Sequence, residues 1–72
     1  MTNTKLLEQR INDAGLKKGF LAKQLGLSNY GFMLKINNKS EFKASEIELL
    51  CETMGINLED MKTIFFAEKV AK

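Results

Sequence analysis

Ser28, Asn29, Tyr30, Met33, Leu34 and Asn37 fall within one stretch, SNYGFMLKINNKSEF. On a helix, residues three and four apart share a face. Tyr30, Met33, Leu34 and Asn37 then point one way, while Phe32 and Ile36 point the other. Asn29, at the entrance, could bond an adenine edge through both groups of its amide. Tyr30 offers one hydroxyl. Leu34 offers apolar contact alone, at best with a thymine methyl. The chemistry on offer is recognition by surface contact, with few groups that read bases and several that suit a protein.

Reaction chemistry finds little support. The chain has no His, so the commonest general base and metal ligand are both missing. Glu46, Glu48 and Glu52 are expected on a solvated helix face rather than as a carboxylate site. The glycines stand singly, and no Gly-rich phosphate cradle is present. We expect no enzyme, no cofactor, no metal and no small-molecule substrate. Cys51 is the single cysteine. It excludes an intramolecular disulfide and reads as a buried thiol.

The elements that must position these residues are helices. The chain has 72 residues, 44% apolar and 28% charged, with no Pro. One small core and one domain over residues 1–72 are expected, of the all-α class. No apolar run approaches the roughly 18 to 20 residues that span a bilayer. The opening MTNTKLLEQR lacks a signal-peptide pattern, so no membrane association is expected and the cytoplasm is the expected compartment. Charge is uneven. Residues 1–39 carry seven basic groups and two acids, and residues 40–72 carry four basic groups and seven acids. The basic half would favour a polyanion or an acidic protein face.

Five helices are expected. The first covers about Thr4 to Ala14, with Leu7, Ile11 and Ala14 inward and Gly15 as its stop. The second covers about Lys18 to Leu25, ended by Gly26. The third covers about Asn29 to Asn37, capped by Ser28. The fourth covers about Ala44 to Met54, with Ile47, Leu50, Cys51 and Met54 inward. The fifth follows Asn57, whose spacing to Asp60 is that of a cap. Leu58, Met61, Ile64 and Phe65 are its expected apolar face.

The second and third helices meet across Gly26-Leu27-Ser28, with small Ala22 between them. This is helix-turn-helix spacing. Through LGLS, KINNKSEF, SEIELL and IFFA, the chain resembles the Cro/repressor class of phage helix-turn-helix regulators over roughly residues 5 to 66. Within that class it is similar to small regulators of phages of Gram-positive hosts. These include the modulators of repression of lactococcal temperate phages, antirepressors that complex the phage repressor. The resemblance implies a five-helix repressor-like fold and a bacterial host cytoplasm. It also implies base and phosphate contacts at the start of the third helix and one turn later.

The chain departs from the pattern at those positions. The resemblance puts Lys18 where a phosphate-binding Gln is usual, and Phe20 where an outward polar residue is usual. Phe20, Tyr30, Met33 and Leu34 are expected to form an apolar patch ringed by Lys17, Lys18, Lys23 and Lys35. Even at half of about 1.5–3 kcal/mol each, four such side chains would supply several kcal/mol on burial. In the competing arrangement Phe20 and Met33 fold back onto the domain. The expected function is a phage-switch regulator that binds the repressor's DNA-binding domain. Its partner-binding residues are Phe20, Lys23, Tyr30, Met33, Leu34 and Lys35. The alternative is a Cro-like dimer that binds operator DNA through Lys18, Ser28, Asn29, Asn37 and Lys39.

With Asn29 as the one strong base reader, the isolated chain is predicted to bind DNA weakly and mostly through phosphates. A gel-shift series should then show steep loss with salt and little difference between sequences. Tight, selective binding at physiological salt would favour the Cro-like reading.

Overall fold

Left-handed backbone sets where the helices stop. The computed structural model describes residues 1–67, and residues 68–72 of the expected domain lie outside the described residues. Among the described residues there are five helices and no strand: α1 Thr4–Asp13, α2 Lys18–Gln24, α3 Asn29–Ile36, α4 Ala44–Met54 and α5 Leu58–Phe65. The first four are each followed by a residue with positive φ: Gly15, Gly26, Asn38 and Gly55. At each stop the next amide turns back onto a carbonyl of the last turn. Leu27 N–H donates to Ala22 at 2.9 Å, and Lys39 N–H donates to Leu34 at 2.8 Å. These bonds satisfy carbonyls that a helix end otherwise leaves free.

Two helix starts follow the caps read from the sequence, and a third has a cap the sequence reading did not name. The Ser28 hydroxyl accepts from the Gly31 amide at 3.0 Å. The Asn57 side chain accepts from the Asp60 amide at 2.8 Å. Asn3 caps α1 in the same way, through the Leu6 amide.

The core draws on every helix. Leu7, Ile11, Leu21, Ala22, Phe32, Ile36, Ile47, Leu50, Cys51, Ile64 and Phe65 are buried, joined by Ile56 from the α4–α5 connection. Ala22 sits where α2 packs on α3, and its small side chain permits the approach. Phe42 lies between two core rings, edge-on to Phe32 at 6.1 Å and to Phe65 at 5.4 Å. It thereby ties the loop before α4 to the core. Burial raises the pKa of the Cys51 thiol, outweighing the opposing pull of the Arg10 charge, as suits a packing thiol.

Two residues expected inside are outside. Ala14 is exposed, because α1 ends at Asp13 and Ala14 is its C-cap. Leu58 is exposed because it opens α5, nearly two turns before the helix reaches the core at Ile64 and Phe65.

The N-terminal segment is bound between the ends of α3 and α5. Asn38 accepts from the Thr2 amide and donates to the Thr2 carbonyl, both at 2.8 Å. The Thr4 hydroxyl donates to the Ile36 carbonyl at 2.6 Å, and the Asn3 amide donates to Ile64 at 2.6 Å. Asn38 thus does two things that Gly could not. It adopts the left-handed turn that Asn tolerates, and its amide pairs with another part of the backbone. No helix among the described residues is long and apolar enough to cross a membrane.

Gly26 lies at φ +72° with nothing within 4 Å of where a Cβ would stand. A side chain there would be strained by its backbone and not by crowding. Gly26→Val is predicted to cost about 1–3 kcal/mol and to lower the melting temperature by several degrees. Gly26→Asn should cost less, since Asn tolerates the same region. Thermal melts followed by circular dichroism test this, and a Val variant that melts like the wild type would refute the turn's role.

Candidate functional site

The α2 and α3 pair presents the residues expected to make contacts. Ser28 caps α3, Phe32 and Ile36 anchor its inner face, and the Schellman-type turn at Gly26 fixes its angle to α2. Tyr30 is 74% exposed, Phe20 45% and Met33 38%. Phe20 and Met33 are thus each partly covered by the domain and partly open, while Tyr30 stands outward. The start of α2 lies near the start of α3: a Cβ at Gly19 would stand 3.6 Å from the Asn29 side-chain oxygen, an ordinary contact.

Two expected contact residues are placed differently. Leu34 is half-buried rather than fully outward. The chain turns at Asn38 and returns past the last turn of α3, where the Lys39 amide meets the Leu34 carbonyl. Lys35 is buried, not on a solvated rim. Its ammonium donates to both Glu46 carboxylate oxygens, at 2.7 and 2.8 Å. Glu46 is accordingly buried as well and does not belong to a solvated face with exposed Glu48 and Glu52.

Glu46 has a second task. Its carboxylate accepts from the Lys43 amide at 2.8 Å, at the N-terminus of α4. That is one half of a capping box, and the Lys43 side chain has no acceptor with which to supply the other half. Burial pushes the Glu46 carboxyl upward. The Lys35 hydrogen bond, the Lys43 amide and the charges of both lysines outweigh it and hold the carboxyl below its ordinary value.

The polar candidates are largely engaged within the domain. Ser28 spends an acceptor on its cap. The Asn37 amide donates to the Met33 carbonyl of its own helix at 3.0 Å. Lys18 pairs with Glu8 at 3.0 Å. That pair is half-exposed and weak, so Lys18 can still exchange partners. Asn29, Lys23 and Lys39 are exposed, and neither lysine makes an ion pair among the described residues. What α2 and α3 leave uncommitted is chiefly Phe20, Tyr30 and Met33, with Lys17 and Lys23 exposed on the same helix pair.

Among the described residues no cluster of His, Cys, Asp or Glu could hold a metal ion. Compared with models of known families, with curated proteins and with solved structures, the chain finds no match.

Sequence reading missed the Lys35–Glu46 bridge and the Asn38–Thr2 clamp. Lys35 stands three residues after Phe32, near the inner face, and that was the available signal. No spacing rule pairs residues across the turn between α3 and α4.

The sign of the Glu46 shift sets a pH dependence. A carboxyl with a lowered folded pKa stabilises the fold fully above its unfolded value, about 4.3. That contribution is lost as pH falls through the lowered folded value. Glu46→Gln should reduce stability at neutral pH, by about 1–3 kcal/mol from the weakened buried bonds. The gap from wild type should narrow as pH falls below about 4.3. Urea denaturation at a series of pH values measures this, and parallel profiles would remove Glu46 from the account.

Proposed function

We propose that the chain is a small phage-switch transcriptional regulator of repressor-like helix-turn-helix type. It acts as an antirepressor, binding the DNA-binding domain of the phage repressor through α2 and α3. The observation that carries this reading is the exposure of Phe20, Tyr30 and Met33 on the helix pair that, in the resembling class, faces DNA. Aromatic and Met side chains are typical interface anchors. The polar groups that would replace them in a DNA reader are few, and Ser28, Asn37 and Lys18 are already bonded inside the domain.

In this mechanism the repressor domain covers the apolar residues of α2 and α3. Exposed Lys17 and Lys23 form the rim and steer an acidic partner surface toward it. Lys35 takes no part in that rim, since its charge is spent on Glu46. The complex excludes the repressor from its operator, or shifts its register there, and repression is relieved. Base contact through Asn29 and phosphate contact through Lys18, Ser28, Asn37 and Lys39 are the basis of the Cro-like alternative, in which a dimer binds operator DNA directly.

Tyr30→Ala separates the two. Tyr30 is the most exposed residue of the patch, so folding should be unchanged. Affinity for the repressor domain should fall by about 1–3 kcal/mol, or roughly five- to a hundredfold. Operator binding, if any, should change little. Calorimetric titrations against the repressor domain and against operator DNA decide the matter. Unchanged repressor affinity, with operator binding abolished by Asn29→Ala, would establish the Cro-like reading instead.

A further inference from the structure

A second apolar surface lies away from α2 and α3. Ala44, Ile47 and Cys51 run along one side of α4, and Ile56, Met61 and Phe66 face them from the connection and α5. Together they line a groove of about 540 Å³. Phe66 is 59% exposed at its edge. The other lining residues are Glu48 and Glu52, both exposed and one helical turn apart, and among the described residues no basic one lines the groove.

We propose that this groove docks a basic amphipathic helix of a protein partner. The α4 stripe from Ala44 to Cys51 spans two turns, about 10 Å. It matches the apolar face of a helix carrying anchors three, four and seven residues apart. Glu48 and Glu52 on one wall select lysine or arginine on the partner's flank and disfavour an acidic helix. The surface shares no residue with the α2–α3 patch, so the proposal stands or falls apart from the antirepressor reading. It gives one small domain two docking faces of opposite rim charge.

The test uses the full chain and a synthetic leucine–lysine peptide of about three to four helical turns, with a leucine–glutamate peptide of the same pattern as control. Titrations followed by anisotropy and by amide NMR shifts should show saturable one-to-one binding of the basic peptide. The shifts should centre on Ile47, Cys51, Ile56 and Met61. The combined Glu48→Lys and Glu52→Lys variant should weaken binding at least about fivefold, in line with the loss of two facing charges. Phe66→Ala, at an exposed site, should weaken it with the melt unchanged. Equal binding of the acidic peptide, no saturable binding, or shifts centred on Phe20, Tyr30 and Met33 would each overturn the proposal. So would self-association that the Glu48 and Glu52 changes abolish, since the occupant would then be a second copy.

Discussion

The ion pair between Lys35 and Glu46 holds α3 to the start of α4, and much of the surface follows from it. One carboxylate receives both the lysine ammonium and the Lys43 amide. It therefore joins two helices and starts one of them. Breaking it from either side would leave the other group buried without its partner, which costs more than the intact pair contributes. At the same C-terminal end of α3, Thr4 bonds the Ile36 carbonyl and Asn38 grips Thr2. The inner half of α3 is thus fixed by packing, charge and hydrogen bonds. Its outer half carries Tyr30 and Met33 with little to hold them inside.

This division explains how much the sequence disclosed. Gly15, Gly26 and Gly55, with the caps Ser28 and Asn57, mark most helix ends, because those residues act through their own backbone or the next turn. Phe32 and Ile36 were legible as core through their spacing, and Tyr30 as surface by the same rule. Lys35 was not. Its place near the inner face and its charge pointed opposite ways, and a partner eleven residues on, at Glu46, resolved the conflict in favour of burial. Asn38 was hidden for a similar reason. Its left-handed turn is local, but its bonds to Thr2 are not. Leu34 shows a softer limit, since helical spacing cannot anticipate a chain that folds back past the last turn.

The proposed function depends on the same division. A helix that reads DNA needs free polar groups on its outward side. Here Asn37 bonds back to its own helix and Ser28 caps it, while the most exposed large hydrophobic side chain is an aromatic ring, Tyr30. Such a surface has more to gain from covering by a protein than from a hydrated phosphate backbone. In the proposed complex Lys17 and Lys23 would add attraction at a distance, which affects encounter more than residence.

The most direct measurement is an amide NMR footprint of the labelled chain on adding the unlabelled DNA-binding domain of the cognate repressor. The account predicts the largest changes at Phe20, Tyr30 and Met33, with smaller ones at Lys17 and Lys23 and little at Lys35 or along α4. Changes confined to α4 and α5, or no change until operator DNA is supplied, would contradict it.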